Sequence, residues 1–254
     1  MWVSLLGLVW GQYFAPRVIG GGELQAPLQG EPLSANPVSA FPYQRWCAQV
    51  GTALYGPAPE LSFRLAGGSY SWDSLQMVSL LLQQWQFDKL SQWEVGGGYA
   101  LRFLRGQVTL AVRGRWLSTF FSEYGRVQRF TPDVGFAARI SPALRIGGYG
   151  YNLLAQGWGF LPGRMHYGIG VAYAPHPSAE VRTELLREGV FPLQVRTGFL
   201  YRPHPILTLR GGVGLPTLLV GAGFTLAYKK VGLDFGYRYQ PSTGSWVGIG
   251  LSAP

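Results

Sequence analysis

Arg45, Arg64, Arg102, Arg113, Arg115, Arg139, Arg182, Arg196, Arg210 and Arg238 fall on one face of segments in which side chains alternate, and Glu94, Asp133, Glu184 and Asp234 share that face. Two chemistries suit such a set. Rings of arginine lining a pore select anions. Alternatively, long arginine stems fill an enclosed space and their heads pair with acids and backbone carbonyls, as Asp234 would with Arg238 on the same row. An enclosed interior needs its polar groups satisfied, which favours pairing over conduction. Arg102, Arg113, Arg115, Arg139, Arg196, Arg210, Asp234 and Arg238 are the candidate interior charges.

Catalytic chemistry finds little support. A nucleophile needs a base within reach and a group that orients the base. His166 sits in a strand-like segment, whereas His176 and His204 lie between prolines in turns assigned to one end of the molecule. Cys47 is the single cysteine, so neither an internal disulfide nor a multi-cysteine metal site is available. The reading is a non-enzyme without a metal or other cofactor.

The elements that position these charges are strands. In Val231–Gln240 the odd positions are Val231, Leu233, Phe235, Tyr237 and Tyr239, and the even ones Gly232, Asp234, Gly236, Arg238 and Gln240. Period-two alternation of this kind marks a strand with two unlike faces. Similar segments span 44–55, 59–68, 74–87, 92–104, 107–118, 129–140, 143–154, 164–174, 179–188, 193–202, 205–214, 217–228, 231–240 and 244–253. That is about fourteen, each near the nine to eleven residues that a tilted strand needs to cross hydrocarbon. Segments 74–87 and 143–154 alternate poorly; Val78, Leu80, Leu81 and Leu82 make the first apolar on both faces, which predicts packing inside the barrel. Every second connection is a tight turn, at Leu104-Arg105-Gly106, Ser141-Pro142, 175–178, 202–205 and Lys229-Lys230. Outer-membrane barrels put short turns in the periplasm, and an even strand count then places both termini there.

Composition agrees. The chain has 254 residues, 37 of them glycine, with 15% aromatic and 13% charged residues and a mean hydropathy of +0.10. A soluble domain carries about 25% charged residues and about 7% glycine. No run of apolar residues is long enough for a membrane helix. The net charge of +9 is dispersed along the strands rather than gathered in a patch, which argues against nucleic acid. Aromatic residues near segment ends, such as Trp93, Phe103, Trp116, Tyr173 and Tyr228, fit interfacial girdles better than a soluble sandwich. The fold expected is all-β, a transmembrane antiparallel β-barrel over 43–254.

Residues 1–11 read as the apolar core of a signal peptide whose basic start is missing. Residues 12–42 do not alternate and carry Gly20, Gly21, Gly22 and the turn former Asn36-Pro37, so they read as an ordered segment that plugs or lines the lumen. Here the sequence resembles the FadL-like barrels of the Bacteroidetes type, including PorV and PorQ of type IX secretion. In these a glycine-rich segment and an Asn-Pro-Ala motif precede the first strand. The matching residues are Ala15-Pro16-Arg17-Val18-Ile19-Gly20-Gly21-Gly22 and Asn36-Pro37; the departures are Glu23 and Val38, where the family favours alanine. The resemblance implies a lumenal hatch, residence in the outer membrane of a Gram-negative, Bacteroidetes-like bacterium, and contact with outer-membrane lipid. Short outer connections favour a partner or scaffold of an outer-membrane complex, of type IX secretion kind and bound to other outer-membrane proteins. The alternative is a FadL-like transporter or channel for hydrophobic or small solutes.

Overall fold

The computed structural model describes residues 45–58, 60–123, 125–154, 165–189, 192–242 and 244–253. The expected signal peptide and the expected hatch, with Gly20, Gly21, Gly22, Asn36 and Pro37, lie outside the described residues. Among the described residues fourteen strands follow one another: β1 Trp46–Tyr55, β2 Ser62–Tyr70, β3 Gln76–Phe87, β4 Leu90–Phe103, β5 Val108–Phe121, β6 Gly125–Arg139, β7 Leu144–Tyr151, β8 His166–His176, β9 Ala179–Glu188, β10 Gln194–His204, β11 Leu207–Leu215, β12 Leu219–Tyr228, β13 Val231–Gln240 and β14 Gly244–Ala253. Each strand pairs antiparallel with its sequence neighbours, and β1 pairs with β14 from Ala48↔Ala253 to Tyr55↔Trp246, which closes the barrel. Closure leaves no sheet edge, the condition for a β-structure to stand in hydrocarbon.

Alternation then sorts the side chains. Outward rows are apolar and exposed: Val112 is 56% and Ile169 54% accessible. Inward rows hold most of the buried residues, including the buried arginines. An exposed apolar band with polar groups inside is the inverse of a water-soluble protein and defines a transmembrane barrel.

The two rims differ. At the turn rim, where β1 begins and β14 ends, the connections are 71–75, 104–107, 140–143, 177–178, 205–206 and 229–230. All the tight turns expected from the sequence lie there. Leu104, Arg105 and Gly106 turn the chain with three successive positive φ values of 50, 58 and 83°. The loop rim carries the longest connection, 152–165, but also the two-residue turn Asp88-Lys89, so length alone does not separate the rims.

The two poorly alternating segments have distinct causes. In β3, Leu81 points inward into an apolar cluster while Val78, Leu80 and Leu82 point out. In β7 the inward residues are Tyr149 and Tyr151, stacked with centroids 4.5 Å apart, and the outward ones include Gly148 and Gly150. Both faces of β3 are apolar, whereas β7 places its large rings inside.

Candidate functional site in the lumen

The lumen has two unlike walls. One is charged and begins at β4, β5 and β6. Asp133 on β6 faces Arg113 in register across the β5–β6 pair. It binds Arg113 at 3.0 Å and accepts a hydrogen bond from Arg115 Nη2 at 2.8 Å. Arg115 also reaches Glu94 on β4 at 3.3 Å. The guanidinium carbons of Arg113 and Arg115 lie 5.6 and 5.9 Å from the ring centre of Tyr151. Asp133 Oδ1 further accepts from the backbone N–H of Asn152, and Thr131 donates to the Asn152 side chain, so the network ties the start of the longest connection to the barrel wall.

The charged wall continues around the barrel. Tyr149 donates to Glu184 at 2.6 Å, and Glu184 stands in register with Arg196. Glu180 binds both Arg145 and Arg182. Arg196 donates to Gln194 at 2.9 Å. Thr225 accepts from Arg210 and donates to Asp234, joining cation to anion through a hydroxyl. These charges are buried, and burial without partners would be costly; pairing resolves that cost.

Register explains how bulky arginines fit. Gly96, Gly98, Gly198, Gly214, Gly221 and Gly223 face Arg115, Arg113, Arg182, Arg196, Arg238 and Arg210 respectively. A Cβ at Gly96 would sit 3.3 Å from Arg115 Cγ, and one at Gly214 would sit 3.2 Å from Arg196 Cγ. The glycines thus leave the space through which the arginine stems run.

The opposite wall is apolar. Phe63 and Leu65 on β2, Met77, Leu81 and Trp85 on β3, and Trp246 on β14 are all inward and nearly inaccessible. Trp85 lies 4.6 Å from Phe63 between ring centres and 6.2 Å from Trp246, which in turn lies 5.1 Å from Tyr55. This aromatic group is concentrated towards the loop rim, where β2 begins and β1 and β3 end. A water-filled pore has no use for such a surface, because inward rows of a polar channel are polar.

The residues proposed as interior charges are distributed as follows. Arg113, Arg115, Arg196, Arg210, Asp234 and Arg238 are buried on inward rows. Arg102 lies on an inward row near the turn rim, and Arg139 faces Arg145 at that rim but is exposed. Arg64 is a correction. Phe63 and Leu65 take the inward positions of β2, so Arg64 points out and is exposed. Arg45 precedes β1 in an exposed bend. The apolar wall was not anticipated as a site; its one signal was the run of leucines in 74–87. His166 and His176 stand at opposite ends of β8. Among the described residues no group of three or more His, Cys, Asp or Glu residues is placed to hold a metal ion.

A closed fourteen-stranded antiparallel barrel with an apolar outer band matches the fold of FadL-type outer-membrane barrels. The structure resembles the Pseudomonas putida toluene transporter TodX with a TM-score of 0.73 and 9% identity, over 96% of this chain and 98% of that chain. It resembles the Ralstonia pickettii toluene transporter TbuX with a TM-score of 0.70 and 12% identity, over 95% and 97%. A FadL homologue of Pseudomonas aeruginosa gives a TM-score of 0.66 and 9% identity, over 93% and 96%. At these identities the likeness is one of fold. No protein-family model matches the sequence, and no curated protein does.

Proposed function

We propose that this chain is a FadL-like channel of the outer membrane that passes small hydrophobic molecules along its apolar lumenal wall. The observation that carries the reading is the inward cluster of Phe63, Leu65, Met77, Leu81, Trp85 and Trp246, placed where a polar pore would set polar groups. An apolar solute that displaces the contacts now covering this wall gains roughly in proportion to the apolar area it removes from water. The fold shared with two toluene transporters supports the same substrate class. The paired state of the inward arginines favours a structural role for them over anion conduction. The reading as a partner of type IX secretion rests on the glycine-rich and Asn36-Pro37 motif and on the short outer connections, and the apolar wall has no part in it.

The turn rim holds both ends of the barrel chain, and in this reading it faces the periplasm while the loop rim faces outward. The test is uptake into proteoliposomes. Radiolabelled toluene-like aromatics are expected to enter faster than into empty vesicles, with sugars of similar size excluded. Equal permeability to both classes would identify a general pore, and absence of any uptake would overturn the channel reading.

A further inference from the structure

The outward face changes character towards the loop rim. Over most of the barrel it is apolar, yet on β2, β3 and β6 the outward positions near this rim are Arg64, Gln84, Gln86, Arg126 and Gln128. Arg64 is in register with Thr52 on one side and Gln84 on the other. Arg126 is held across the outer surface: its Nε donates to Ser118 Oγ at 2.7 Å, and Gln128 stands on the same outward row. Inside, β2 and β3 carry Phe63, Leu65, Leu81 and Trp85, whereas β6 carries Arg129, Thr131 and Asp133. The outer face thus turns polar on all three strands, as expected where a sheet rises out of hydrocarbon, and on β2 and β3 the polarity of the wall is inverted.

Among the described residues the charged side chains on the outward rows of strands are Arg64, Arg126 and Arg187, and all three stand within three residues of the loop rim. None of them has a carboxylate partner among the described residues, in contrast to Arg113, Arg115 and Arg182 inside. Arg126 is also in register with Phe120, an exposed ring of the kind that sits at headgroup level. An outward arginine is strongly disfavoured at the bilayer midplane and tolerated at the interface. Arginine heads presented there match phosphate groups in a bidentate fashion.

We propose that Arg64 and Arg126 form a docking surface for the phosphates of a phosphorylated glycolipid headgroup in the leaflet at the loop rim. The assignment to glycolipid rests on the outward orientation of that rim given above. The contacts themselves stand on the outer surface, apart from the lumen. Free phosphate and glycerophospholipid share the phosphate chemistry, and the experiment separates them.

Purified protein in detergent is titrated with diphosphorylated lipid A, with the same lipid after phosphatase treatment, with phosphatidylglycerol and with inorganic phosphate, and bound species are counted by native mass spectrometry. The diphosphorylated glycolipid is expected to bind in preference to the other three. In R64Q/R126Q its bound fraction should fall by about fivefold or more, as loss of two charge-assisted contacts implies, and R64K/R126K should recover part of it. Heat-modifiable gel mobility verifies that each variant is a folded barrel. Equal binding by R64Q/R126Q, or equal retention of dephosphorylated lipid or phosphatidylglycerol, would overturn the assignment. The double variant should conduct aromatic solutes as the unchanged protein does, so failure of transport and failure of lipid docking are read separately.

Discussion

Arg238 and Trp246 face each other in register across β13 and β14, with the guanidinium carbon 5.7 Å from the indole centre. The pair joins the two walls of the lumen. On one side Arg238 belongs to the row of Asp234 and Thr225; on the other Trp246 packs with Trp85 and Tyr55. A cation lying over an aromatic face is an economical junction, because the ring is apolar towards the tryptophans and electron-rich towards the charge.

The apolar wall is expected to respond to polarity more than to size. Leu65→Gln places an amide where a buried methyl group stood. If a passing solute uses half of the about 1.5–3 kcal/mol that a fully buried leucine contributes, aromatic flux falls by about tenfold or less. Vesicle uptake of aromatics measures this, and sugar exclusion should be unchanged.

Asp133→Asn is expected to destabilise the barrel severely. The carboxylate answers two buried arginines, Arg113 and Arg115, and its loss leaves both undercompensated. Breaking a buried pair in this way costs about 3–5 kcal/mol. Urea unfolding in lipid vesicles should show it as a lowered midpoint. Replacing Arg113 and Asp133 together by apolar residues is expected to be milder than Asp133→Asn alone, because only Arg115 is then left short of a partner.

Gly168 lies beneath a ring. A Cβ there would meet Tyr149 Cζ at 2.7 Å and Glu184 Oε1 at 2.8 Å. Gly168→Ala therefore displaces the phenol from its acceptor, at a cost of about 1–3 kcal/mol by overpacking. In a Tyr149→Phe background the hydroxyl is gone and the added cost should shrink. A double-mutant cycle on unfolding free energies reads the coupling.

The lipid-facing rows predict a depth dependence. Ile169→Arg introduces a charge in the middle of the outward row of β8, where the penalty is about 2–4 kcal/mol. Arg64→Leu, near the loop rim, should change stability by less than about 1 kcal/mol. Comparable effects at both positions would contradict the placement of the hydrocarbon band.

Most of the fold was legible because membrane barrels obey one local rule throughout. Val231–Gln240 states that rule within ten residues, and the structure repeats its register. The rule is silent on what fills the lumen. Alternation in its segment groups Arg64 with the inward charges, but in β2 the phenyl ring of Phe63 and the side chain of Leu65 claim the interior. The partners of the inward arginines were only partly legible. Asp133 and Arg113 are separated by 20 positions and meet only through the β5–β6 register. Glycine is visible as an excess over the whole chain, but which glycines face arginines needs register too.

The seam between β1 and β14 has a consequence for biogenesis. The strand translated first within the barrel must wait for the strand translated last, since Ala48–Tyr55 finds its second neighbour only in Trp246–Ala253. Until then its backbone donors and acceptors stay unanswered, and a bilayer interior gives them nothing to bind. Insertion is therefore an end-stage event of synthesis, and whatever machinery delivers the chain has to shield one raw edge for the whole interval between the two strands. A stop codon anywhere before Gly244 should yield a product destined for proteolysis rather than a shorter barrel.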